Sequence, residues 1–190
     1  CSMNQVYHLV RISILDPGEA TKLLLSQGWN LTSAAMILTA ATCVSTILAF
    51  IPNPNISEEV RAGGLMFSPI STAIIVLMSS YLAAFFISRG GSWFGGNANF
   101  SEILSVMAWT QVLQVIFQSL VVFVLLILAP LAGILQIGFV ILGLYILVSF
   151  VKSAHGLQSL FVSGVLVVIG SLFAFLGTGL IFGGVLSRFL

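Results

Sequence analysis

The sequence has 190 residues, 59% of them hydrophobic and only 6% charged, against about 25% charged in an ordinary soluble domain. At a mean hydropathy of +1.19 the apolar surface cannot all turn inward, so much of the exterior must meet lipid rather than water. Six Lys+Arg against five Asp+Glu leave a net charge of +1, too little basic surface for nucleic acid to be a main partner.

The chain opens Cys1-Ser2 instead of Met, which fits Met removal, truncation, or cleavage of a lipoprotein signal that would leave a lipid on Cys1. With Cys43 inside an apolar run, the two cysteines make no disulfide framework. Residues 1–30 form an N-terminal cytoplasmic segment. Within it Asp16-Pro17-Gly18-Glu19 joins an acidic N-cap, proline in the first turn and Glu at the capping-box position. A short amphipathic helix therefore starts there, with Leu23 and Leu24 among its apolar positions and Gly28-Trp29 at its end. It is expected to lie in the membrane interface; the plainer alternative is an extension of the first span.

Residues 31–190 form an all-α, five-helix transmembrane domain. The first span, 31–51, carries no charge and is long enough for a hydrocarbon core of about 30 Å. Pro52-Asn53-Pro54-Asn55 stops it, and a polar connection with Glu58, Glu59 and Arg61 follows. Ser68-Pro69 reads as an N-cap and first helical position, opening the second span, 69–88. Arg89 to Gly96 reads as a loop by its glycine density, with Trp93-Phe94 suited to the membrane interface. Asn99 and Glu102 have capping-box spacing at the head of the next helix. The uncharged tract from Ile103 to Val151 is too long for one crossing. Its strongest breaker, Ala129-Pro130-Leu131-Ala132-Gly133, divides it into spans at 103–129 and 134–151. Lys152, His155 and Gly156 make the next polar break, and the fifth span covers 157–187 ahead of Arg188.

An odd number of spans puts the ends of the chain on opposite sides. With the N-terminus in the cytoplasm and the C-terminus outside, Arg11, Lys22, Arg89 and Lys152 fall inside against Arg61 and Arg188 outside, the sense favoured by the positive-inside rule.

Gln111, Gln114 and Gln118 fall at i, i+3 and i+7, so their amides leave one side of the third span, a side that must face other helices or a hydrated cavity. The first reading is interhelical bonding; the second is a polar path for a substrate. No ionisable residue lies at mid-span, which argues against active transport. Ala41, Ser45 and Ala49 in the first span, and Gly170, Ala174 and Thr178 in the fifth, repeat small residues every fourth position, and Gly179 and Gly183 add a GxxxG. These stripes suit either close packing within the chain or contact with a second copy or another protein.

His8 and His155 could in principle ligate a haem or bacteriochlorophyll metal, but neither sits inside a span, and Lys152 with His155 reads as a marker of the headgroup zone. No C-x-x-C-H, H-E-x-x-H or Cys/His cluster occurs, so no cofactor or metal is expected. The glycine pairs lack a P-loop context, and the sequons at Asn30, Asn55 and Asn99 are assigned no role.

The order of features resembles the Yip family, the Ypt/Rab-interacting membrane proteins, and specifically its bacterial branch. The likeness runs from Asp16-Pro17-Gly18 and Trp29 through the five spans. Its clearest local parts are Phe94-Gly95-Gly96-Asn97-Ala98-Asn99-Phe100 leading into Ala108-Trp109, and Ala154-His155-Gly156-Leu157. The resemblance implies a five-helix domain with a cytoplasmic N-terminus in the bacterial inner membrane and no established enzyme activity. Eukaryotic relatives are associated with Rab GTPase binding through an acidic, proline-containing segment. Nothing in this chain matches that segment, so that function does not follow.

The expected function is a non-catalytic accessory or organising subunit that packs against another integral membrane protein or complex, such as a respiratory or photosynthetic assembly. Self-association is compatible with the same surfaces. The alternatives are a transporter or channel lined by the three glutamines, and membrane shaping through the segment 16–29.

Overall fold

The structure, a computed structural model, describes residues 3–50 and 68–186, and side chains over 5–50 and 68–182. The Pro52–Asn55 stop, the polar connection with Glu58, Glu59 and Arg61, and the positions Cys1, Ile51 and Arg188 lie outside the described residues. Seven helices and no strand occur among those described: α1 Met3–Leu15, α2 Pro17–Ser26, α3 Leu31–Phe50, α4 Pro69–Trp93, α5 Phe100–Ile127, α6 Ala129–His155 and α7 Leu160–Leu186. The last five are long and apolar enough to cross a membrane, and the fold is all-α as expected.

The helix starts follow local chemistry. The Asp16 side chain accepts the Glu19 N–H at 3.1 Å ahead of Pro17, and Ser68 Oγ accepts from Ser71 N at 3.1 Å ahead of Pro69. At α5 the capping box closes in both directions, Glu102 N–H to Asn99 Oδ1 at 2.9 Å and Asn99 N–H to Glu102 Oε2 at 2.8 Å. Each bond satisfies a backbone donor that the first turn leaves without a partner.

Three features differ from the sequence reading. α1 replaces an N-terminal stretch for which no helix was expected. α4 runs on to Trp93 through Arg89-Gly90-Gly91, which read as loop. The third correction concerns Ala129–Gly133, read as the break between the third and fourth spans: it forms the opening turns of α6. Pro130 occupies a position where its missing N–H costs nothing, and the connection from α5 narrows to Leu128 alone.

α5 stands at the centre with α3, α4 and α6 against it, while α7 packs chiefly on α4 and also on α6. One core cluster joins α3, α4, α5, α6 and α7 around Leu38, Ala84, Ile87, Leu104, Val151 and Val167. A second joins α1, α2, α5 and α6 around Leu9, Leu24, Trp109, Ile146 and Phe150. Outside these clusters Ile134, Ile137, Val140 and Ile141 on α6, and Val168, Leu172, Phe175 and Leu180 on α7, stay exposed. That is the surface expected where lipid replaces water as solvent.

Candidate functional site

Two of the three glutamines turn toward the same partner. Gln111, 9% exposed, donates through Nε2 to Ser45 Oγ at 3.0 Å. Gln118, with its amide oriented to fit its neighbours, donates to the Ser45 carbonyl at 3.3 Å and accepts from Ala49 N–H at 3.1 Å. It thus bridges two groups that are also four residues apart in the α3 helix ladder. The glutamine side of α5 and the small-residue stripe of α3 therefore meet along one seam: Ala41 and Ser45 are buried there, and Ala49, although exposed, supplies backbone. Small side chains on α3 let the amides reach its main chain.

Gln114 points elsewhere. It is exposed and lines a groove of about 320 Å³ between α5 and α6, together with Gln136, Gly143, Gln118 and the ring pair Phe117–Phe139. The two rings stack at 4.7 Å and 2°. Gln136 is also exposed, and the sequence reading passed over it because it lies alone in its own helix.

The stripe on α7 forms the seam with α4. Gly170 approaches so closely that an added Cβ would stand 2.7 Å from Ile87 Cγ1. Ala174 is buried, and Thr178 Oγ1 shares a hydrogen bond of 3.0 Å with Ser79 Oγ. Gly179 faces open space. Gly183 stands in the last turn of α7, outside the described side chains.

His155, which the sequence marks as part of the headgroup zone, closes α6 and is buried within the protein there, 2% exposed. α4 and α6 both end in a glycine of positive φ, Gly95 at 81° and Gly156 at 67°. In each the residue after the glycine bonds back to the last turn, Gly96 N–H to Gly91 O at 2.9 Å and Leu157 N–H to Lys152 O at 3.0 Å. The two helix ends interlock around the imidazole. Nδ1 accepts from Ala98 N–H at 3.3 Å and the His155 carbonyl accepts from Asn97 N–H at 3.3 Å. An added Cβ at Gly91 would fall on the ring itself, and one at Gly96 would come within 2.6 Å of Nδ1. Since Nδ1 accepts, the ring proton is assigned to Nε2. That nitrogen is buried without a hydrogen-bond partner among the described residues. No group of three or more His, Cys, Asp or Glu that could hold a metal ion occurs among the described residues. His155 thus acts as a peg between helix ends, and glycines 91 and 96 are the socket.

At the same end α1 and α2 clasp the bundle. Trp109 Nε1 donates to Ser13 Oγ at 2.9 Å, and Ser153 Oγ donates to the Gly18 carbonyl at 3.1 Å. Pro17, Ala20, Thr21 and Leu24 are buried, Leu23 and Glu19 are exposed, and Trp29 meets Trp109 edge to face at 6.5 Å. The apolar side of α2 that was expected to lie on lipid headgroups packs on α5 and α6 instead. A smaller polar recess of about 210 Å³ lies between the end of α2 and the start of α5, bordered by Gly28, Trp29, Asn99 and Glu102.

A family model described as the Yip1 domain matches residues 12–185 of the chain. No curated protein and no solved structure matches it.

Proposed function

We propose, for a chain that belongs to the Yip1 domain family, a non-catalytic role as an accessory or organising subunit that packs against another integral membrane protein in the bacterial inner membrane. Membership makes it a membrane protein with several apolar helices; the partner and the role are the further step. The observation that carries this reading is the use made of the glutamine face. Gln111 and Gln118 are taken up by Ser45 and the α3 main chain, so that polar face holds helices together. What the molecule offers to others is its apolar exterior on α6 and α7.

The proposed orientation, N-terminus in the cytoplasm, is supported by where the basic residues gather. Lys152 lies one turn before His155. Arg89 lies just before the Gly91 socket, and Lys22 lies on α2, whose Gly18 bonds Ser153. A shared cytoplasmic end agrees with the positive-inside rule.

The test is isolation from native membranes in gentle detergent or polymer nanodiscs, followed by mass spectrometry and quantification. Stoichiometric recovery with one integral membrane complex is expected. Recovery without any second integral membrane protein overturns the reading.

A further inference from the structure

Gln114 and Gln136 are the only exposed amides within the five spanning helices among the described residues, and both border the α5–α6 groove. Neither has a hydrogen-bond partner among those residues. Gln114 lies near the middle of α5, and Gln136 is the eighth residue of α6, about 10 Å along the helix from its start at 1.5 Å per residue. Both are therefore at hydrocarbon depth, where lipid tails can neither donate nor accept and an unpaired amide is costly. A polar group carried into the membrane by a second protein surface would satisfy them.

From this we infer that the groove is the contact surface between two copies of the chain, related by a two-fold axis along the membrane normal. Both copies insert with the same topology, so such an axis keeps every residue at the depth of its counterpart, and residues close to the axis meet their own copies. A side chain that ends in an ionised group repels its counterpart across such an axis. A glutamine amide has both an acceptor and two donors, so each copy can give to the other and receive from it. Gln114 and Gln136 supply this self-complementary chemistry at two depths on one face. Gly143 lines the same groove, and a Cβ there would meet nothing within 4 Å, so backbones of two copies can approach closely there. The inference goes beyond the accessory role and does not depend on it.

The test uses the full chain in its membranes with Cys1→Ser and Cys43→Ser to remove competing thiols. Gln136→Cys and Gln114→Cys, each alone, are expected to give an oxidative cross-linked dimer. Leu180→Cys, exposed on α7, is expected to stay monomeric. In liposomes, energy transfer between labelled copies should show the double variant Gln114→Leu, Gln136→Leu dissociating at least about tenfold more readily. Replacement by Asn, which keeps the amide, should retain more of the association than Leu does. Cross-linking at Leu180 but not at either glutamine overturns the inference, as does energy transfer unchanged by the Leu pair. Cross-linking of the glutamine positions only to a different protein also overturns it while leaving the accessory role standing. A dimer recovered with nothing else supports the inference and removes that role.

Discussion

At Gly96 an added Cβ would come within 2.6 Å of His155 Nδ1 and 2.8 Å of its Cβ and Cγ, and at Gly91 it would land on the ring. Neither contact is with the loose end of a flexible chain, because His155 is held by Ala98 and Asn97. Gly96→Ala is expected to cost about 1–3 kcal/mol, the usual range for overpacking. Gly91→Ala, which sits in a helix and gains propensity, should still lose stability. Gly90→Ala is the comparison: there the obstacle is Leu166 Cδ1 at 2.7 Å, a side-chain tip that can swing aside, so the loss should stay below about 1 kcal/mol. Unfolding of the detergent-solubilised protein by titrated SDS measures all three, and an equal response at Gly90 and Gly96 contradicts the peg-and-socket account. His155→Ala removes the peg and strands the Ala98 N–H, with an expected loss of about 2–4 kcal/mol. None of this was legible from composition. Glycine density normally signals a turn, and at Gly91 the same residue serves instead as empty space inside a helix. The two segments that carried the family likeness, around Gly96 and His155, are the two that meet, but nothing in one sequence ties Ala98 to His155, 57 positions apart.

On the scale of helices, α3 and α5 are joined by amides where most pairs here are joined by packing alone. The double substitution Gln111→Leu, Gln118→Leu should weaken the bundle by about 1–2 kcal/mol, at roughly 0.6 kcal/mol or somewhat more per interhelical hydrogen bond. It should leave the solute permeability of proteoliposomes unaltered; a large fall in flux would favour the transporter reading instead. The sequence made the glutamine face and the α3 stripe visible separately, by periodicity. It did not show that they are one seam, since small residues and amides each have several possible partners. α1 escaped notice for a related reason. It carries apolar positions at helical spacing, as α2 does, but lacks the capping residues that mark the start of α2, and its place against the bundle comes from Trp109, distant in sequence. For α2, the burial of Leu24 means that Leu24→Ala should cost about 2–4 kcal/mol, whereas Leu23→Ala, on the exposed side, should cost little. Comparable losses at the two positions would contradict the docked placement of α2.

For the molecule as a whole, five crossings were readable because lipid imposes length and apolarity on each one independently of its neighbours. Helix ends were less readable because they depend on contacts: α4 continues into its glycine pair, and Pro130 begins a helix instead of separating two. Reporter fusions after residue 29 and after residue 186 should report opposite compartments, with the former in the cytoplasm; activity of both fusions on one side overturns the five-crossing arrangement.

The clasp of α1 and α2 also sets an order of events. Ser13 meets Trp109, 96 positions later, and Gly18 meets Ser153, 135 positions later. During synthesis these two helices leave the ribosome well before α5 and α6 exist to receive them. Leu9 and Leu24 must wait unshielded, on the bilayer surface or under a chaperone, while the intervening spans are threaded. Final closure of the N-terminal clasp therefore reports that the central hairpin has been inserted.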